Sequence, residues 1–247
     1  MNVNIQSHID NGYTALKNAN WSEARRSFEQ ALSLSDAPEV YDGLGIACWW
    51  LNDIRAAHQY RTVAYNGFKS SQQVRKAAVI ACWLAREQMF FCSNSAAMQG
   101  WFARAESLMK YLPPCSELAW CELLRSSMLD TPAELAHVAT HSIQVAREFQ
   151  EINLEAFALA FCGLAKVIQC QVEDGMCCLD EAMTMAINGE VNDLMVTSEI
   201  FCVMLSACET AGDLIRSEQW CQRHGNLLNR NSVPFFQHIV AQRMATS

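Results

Sequence analysis

The chain has 247 residues, of which 51% are hydrophobic, 18% are charged, 5 are Pro and 10 are Gly. Ordinary soluble proteins carry about 25% charged residues, so this chain has enough apolar side chains for a large core and some left over for a partner. A net charge of −8, with no basic stripe beyond Arg25 and Arg26 and Arg75 and Lys76, argues against direct nucleic-acid binding.

The amino-terminal MNVNIQSHID has neither a charged n-region nor an apolar h-region, so it does not read as a signal peptide. The longest apolar stretches, 156–165 and 200–208, end at Glu155, Lys166, Glu199 and Glu209, short of the ~20 residues a membrane span needs. A cytoplasmic location and no membrane contact are the expectations. There are 12 Cys. Cys48, Cys82, Cys162, Cys202 and Cys208 fall at apolar helix positions, and a reduced thiol packs there as a small hydrophobe.

Taken in chain order, the hydrophobic spacing predicts helices throughout and no strand. The first helix pair covers residues 5–36 and includes GYTALKNANWSEARRSFEQAL, with Trp21 at the turn. The second covers 38–69, with Asn52 and Asp53 at its turn. Gly12 and Gly45, Ala24 and Ala57, and Ala31 and Ala64 are each 33 residues apart. The physical reason for such a pattern is close packing. A Gly or Ala in the first helix admits the second, an early Ala in the second fills the matching hollow, and a large residue four positions on fills the next.

A third pair is expected over 71–111, with Ala97, Trp101 and Ala105 as its second-helix positions and Pro113 and Pro114 as its stop. The fourth covers 116–150, broken near Asp130, with Thr131 as N-cap and Pro132 as the first helical residue. The fifth, 153–188, repeats the small-residue pattern with Gly163 and Gly175, followed by Leu179 and Ala182. The sixth covers 191–228 and turns at Gly212 and Asp213, and a terminal helix over 233–245 would cap the stack.

The repeat of 33 residues with these small positions resembles the tetratricopeptide unit, whose period is about 34. That resemblance implies an all-α solenoid of about six antiparallel helix pairs, with residues 1–247 forming a single superhelical domain. The segments YDGLGIACWWLNDIRAAHQYRTVAY and LDEAMTMAINGEVNDLMVTSEIFCVMLSACETAGDLIRSEQWCQRHG are similar to the repeat region of large bacterial LuxR-type transcriptional regulators. In that family the repeats serve as sensor or scaffold ahead of a DNA-reading domain. Too few residues follow His224 for such a domain, so the chain reads either as a fragment or as a standalone relative.

The first helices of tetratricopeptide pairs line the inner groove, which makes Tyr41, Trp49, Trp83, Trp120 and Phe157 the candidate partner- or ligand-binding residues. Aromatic side chains bury much area at modest entropic cost, and packing between repeats is the alternative for each. Trp49 and Trp50 point about 100° apart on a helix, so one is expected to face a groove or a neighbouring repeat. Ile9 and Tyr13 stand where a carboxylate clamp needs Asn and Lys, which argues against that clamp.

His137 and His141 share a helix face in ELAHVATH, yet two His without a further ligand make a weak metal site. Cys177 and Cys178 belong to no C-x-x-C pair, and no base or cation is evident near them at helical spacing. Phosphate-binding Gly-rich loops, nucleophile elbows and dinucleotide fingerprints are missing. The expectation is a non-catalytic, protein-binding regulatory scaffold with no cofactor. A small-molecule sensor with an apolar cavity is the second reading, and an enzyme on a recruited repeat fold the third.

Overall fold

The computed structural model describes residues 3–231. Among them there is no strand, and twelve helices follow one another in chain order. The chain divides between Leu112 and Pro113 into two compact units. The expected terminal helix over 233–245 lies outside the described residues.

The first unit holds α1 (Val3–Lys17), α2 (Trp21–Leu32), α3 (Pro38–Trp50), α4 (Ile54–Ser70), α5 (Val74–Cys92) and α6 (Ser95–Met109). The second holds α7 (Ser116–Leu129), α8 (Pro132–Phe149), α9 (Ile152–Ile168), α10 (Val172–Ile187), α11 (Leu194–Ala211) and α12 (Leu214–Asn231). In both units consecutive helices pack in pairs, and the second helix of one pair packs on the first helix of the next where both lie in one unit. First helices also touch each other, α1 on α3 and α9 on both α7 and α11. This is the packing order of a solenoid-like all-α fold.

Small residues set the helix spacing, as the sequence pattern requires. Ala24 and Ala57 are fully buried. A Cβ on Gly45 would stand 2.8 Å from Arg61 Cγ and 3.5 Å from the Ala57 carbonyl oxygen. Gly12 lies under the ring of Phe28, and so does Gly43, whose own Cβ would come within 2.3 Å of that ring. Phe28 therefore joins α1, α2 and α3 across two glycines.

Gly163 and Gly175 bring α9 and α10 into backbone contact. A Cβ on either would meet the other's carbonyl oxygen, at 2.6 and 2.7 Å. Gly163 faces Leu179 while Val167, one turn on, faces Gly175, so the two helices run antiparallel.

The turns repeat as well. The backbone N–H groups of Asn20, Asp53, Gln73, Glu151, Gln171 and Asp213 each donate to the carbonyl five residues back, at 2.8–2.9 Å. The residue before each has a positive φ: Ala19, Asn52, Gln72, Gln150, Cys170 and Gly212. This is a Schellman closure, which satisfies the last carbonyls of a helix through one left-handed residue. Only Gly212 and Asn52 have residue types that announce it.

Thr131 caps α8 as expected. Its hydroxyl accepts from the Glu134 N–H while the Glu134 carboxylate accepts from the Thr131 N–H, a reciprocal box, and Pro132 follows at the first helical position. The stripe of α6 differs from the expected one. Met98, Phe102, Ala105 and Met109 are buried, whereas Ala97 and Trp101 are half-buried. Successive buried residues are three or four apart, one turn each, so the buried stripe keeps Ala105 and takes Met98 and Phe102 in place of Ala97 and Trp101.

α11 is long and apolar enough to cross a membrane by length and composition, and 61% of that stretch is buried within the fold, as in a core helix. None of the twelve cysteines forms a disulfide, and Cys48, Cys82, Cys162 and Cys208 are buried while Cys202 is half-buried.

Candidate functional site

The candidate site of the first unit begins from a change at one repeat position. Arg61 stands 33 residues after Phe28, where a large apolar side chain is due. Its stem packs on Gly45 as Phe28 packs on Gly12. Its guanidinium then runs on between two indoles, 5.2 Å from the Trp49 ring of α3 and 6.0 Å from the Trp83 ring of α5. Both rings offer a negative π face to the cation.

Arg61 is 4% exposed and Glu87 of α5 is 2% exposed, so their charges need each other. Arg61 Nη1 donates to Glu87 Oε1. The second carboxylate oxygen lies 2.9 Å from His58 Nδ1, and His58 Nε2 lies 3.3 Å from the Gln88 amide nitrogen. A carboxylate only accepts and an NH2 only donates, which places the imidazole proton on Nδ1. The His58 side chain is one-third exposed (33%), so this line of polar groups runs from the core to the surface. A second buried guanidinium, that of Arg86, also lies over the Trp83 ring at 5.7 Å.

Arg61 thus lies beside both Trp49 and Trp83, and both rings keep a half-buried face. Trp50 turns the other way and stacks on Trp21 with ring centroids 4.7 Å apart, as the adjacent pair requires. Tyr41 is also half-buried. Its hydroxyl donates to Asp36 and its ring lies 6.3 Å from Tyr60.

In the second unit Trp120 is half-buried, 5.1 Å from Phe157. Phe157 does not line a surface. It is fully buried and packs edge-on against Phe161 at 4.9 Å, because α9 is enclosed by α8, α10 and α11 and has few positions facing water. Phe157 is therefore a core residue, which corrects its place among the binding candidates. His137 and His141 are exposed, His141 lying 4.0 Å from Glu122. Among the described residues no three His, Cys, Asp or Glu side chains gather as metal ligands.

The sequence reading missed two open grooves in the second unit. One, of about 490 Å³, is lined by Glu155, Asp180, Glu181, Thr184, Met185 and Glu190. The other, of about 590 Å³, shares Asp180 and Thr184 and adds Arg216, Trp220 and Arg223. Asp180 accepts from Trp220 Nε1 at 3.0 Å and pairs with Arg216 at 3.5 Å.

No protein-family model, curated protein or solved structure matches the chain. The site has to be judged on its own chemistry. It offers aromatic faces, a fixed buried charge pair and a histidine with both ring nitrogens engaged.

Proposed function

We propose that the chain is a non-catalytic scaffold that binds a protein or peptide segment across Tyr41, Trp49 and Trp83. The observation that supports this most is the clamped geometry of the two tryptophans. Their rings are held by Arg61, which is itself held by Glu87. Aromatic anchors fixed before binding lose little entropy when a partner arrives, which is the property of interface hot spots. The resemblance to the repeat region of LuxR-type regulators supports a role in bacterial transcriptional regulation, exerted through a partner rather than by contact with DNA.

A small-molecule sensor is the second reading, and it rests on the two grooves of the second unit. Their volumes fall in the ~300–1,000 Å³ range of ligand sites. The first carries Glu155, Asp180, Glu181 and Glu190 and would take a cationic ligand, whereas the second sets Arg216 and Arg223 beside Asp180 and would take a polar one, unlike the apolar lining the sequence suggested.

Peptide arrays probed with the full chain, followed by titration of intrinsic Trp emission with the peptides retained, test the scaffold. Trp83→Ala with unchanged helix content is expected to weaken binding by about 2 kcal/mol, roughly 30-fold in Kd. An array without retained peptides, together with saturable quenching by a polar metabolite, would favour the sensor.

A further inference from the structure

Two helices of the second unit, α9 and α10, bring together two thiols and a lysine. Lys166 follows Cys162 by four residues on α9, so both lie on one face. Cys178 lies one turn past Gly175 on α10. The Gly163 and Gly175 backbones are in contact, and that contact draws the two helices together where the sulfurs sit. Across that contact Cys162 and Cys178 are electrostatic neighbours of each other and of the Lys166 ammonium. The Lys166 ammonium donates to Cys178 Sγ at 3.6 Å, and Thr140 Oγ1 of α8 lies 3.8 Å from Cys162 Sγ. Cys162 is 3% exposed, and Cys178 is half-buried and opens the pair to solvent.

A cation beside two neighbouring thiols favours the loss of one proton from the pair. The neighbouring Cys178, against the opposing effect of burial and with help from the Lys166 charge, pulls the Cys162 thiol down to about 6. Cys178, which keeps the shared proton, is held far above its ordinary range by the neighbouring Cys162 and by burial, against the pull of Lys166. Near neutral pH the pair carries one thiolate. Cys208 shows the opposite case: burial pushes its thiol up to about 11, and it stays protonated.

We propose that Cys162 and Cys178 form a peroxide-reactive dithiol that closes reversibly to a disulfide joining α9 to α10. The thiolate sulfur attacks one oxygen of a hydroperoxide. The O–O bond breaks, the sulfur becomes a sulfenic acid, and hydroxide leaves and takes up a proton. The second thiol sulfur then attacks the sulfenic sulfur, an S–S bond forms, and the S–OH oxygen leaves as water with the second thiol's proton. The sulfurs lose two electrons, and the two peroxide oxygens gain them. A small dithiol reopens the bridge by exchange and is itself oxidised to a disulfide. The site lies wholly in the second unit, and the partner surface proposed above lies in the first.

The test treats the reduced full chain with hydrogen peroxide at neutral pH, alkylates the remaining thiols and digests with trypsin without reductant. Cleavage after Lys166 puts Cys162 in peptide 148–166 and Cys178 in 167–216. The expected product is these two peptides joined through Cys162 and Cys178, lighter by two hydrogens and released by dithiothreitol. Serine replacing the exposed Cys92, Cys170 and Cys177 should leave the bridge intact, and Cys162→Ser or Cys178→Ser should abolish it.

The bridging rate in wild type is expected to rise through pH 6, because the reacting species is the thiolate. Lys166→Met should move that rise to higher pH with helix content unchanged. Without any substitution, phenylarsine oxide should protect Cys162 and Cys178 together from alkylation. Peroxide that oxidises Cys170 or Cys177 while Cys162 and Cys178 remain alkylatable would overturn the proposal, as would an arsenical that protects neither.

Discussion

Glu87→Ala is expected to destabilise the first unit by about 3–5 kcal/mol, the cost of leaving one member of a buried ion pair without the other. Arg61 is nearly inaccessible and its guanidinium is enclosed by Trp49 and Trp83, so water cannot replace the missing carboxylate. His58 loses its acceptor in the same step. The pair itself need not be a net source of stability, since desolvating both charges costs about as much as their attraction returns.

An Arg61→Met, Glu87→Leu double variant should therefore recover most of the loss and come within about 1 kcal/mol of wild type or above it. Urea denaturation followed by Trp emission reads this directly, because five of the seven tryptophans lie in the first unit. Equal losses in the single and double variants would mean that the charge pair contributes more than it costs.

Phe28→Ala is expected to cost a further, independent 3–5 kcal/mol or so, the usual range for a large aromatic removed from a closed core. The ring is fully buried, sits against Gly12 and Gly43, and meets Tyr13 edge-on with centroids 5.1 Å apart. Three helix backbones frame it, and none can collapse into the space without moving its neighbours. Gly43→Ala alone should destabilise, because its methyl group would overlap the ring. In the Phe28→Ala background the same methyl partly fills the hole, so the two changes should be less harmful together than the sum of each alone. Additive losses in a double-mutant cycle would show that Phe28 and Gly43 do not share that space.

The spacing of Gly and Ala made the helix pairs legible, because close packing admits few residue types. Gly12 with Ala24, and Gly45 with Ala57, are placed as that spacing demands. Thr131 and Pro132 were legible for a local reason, since capping needs no tertiary partner. The recurrent turn was not, because Ala19, Gln72, Gln150 and Cys170 occupy a left-handed position that Gly usually takes. The surrounding closure hydrogen bond offsets that cost, and it leaves no mark on composition.

The site was legible in part. Trp49 and Trp83 were named, but the cation between them was not, although Arg61 already stood at the position of Phe28 in the repeat spacing. A charge at an apolar repeat position implies a buried counter-charge, and Glu87 was the missing half. Phe157 was misplaced because helical spacing alone cannot tell a first helix that faces a groove from one enclosed on three sides. Cys162 and Cys178 lie 16 residues apart and belong to no motif. The register set by Gly163 against Gly175 was the one signal that placed them opposite each other.

The same substitution at two glycines tests the packing account most directly. Gly163→Ala puts a methyl group 2.6 Å from the Gly175 carbonyl oxygen, which has no flexible atom to give way, and should cost about 1–3 kcal/mol. Gly100→Ala, in α6 with nothing within 4 Å of the new methyl group, should stabilise by about 0.5–1 kcal/mol through lost backbone freedom in the unfolded chain. Opposite signs in urea denaturation are the predicted result. A Gly163→Ala chain as stable as wild type, or more so, would contradict a fold held at its crossings by the absence of a side chain.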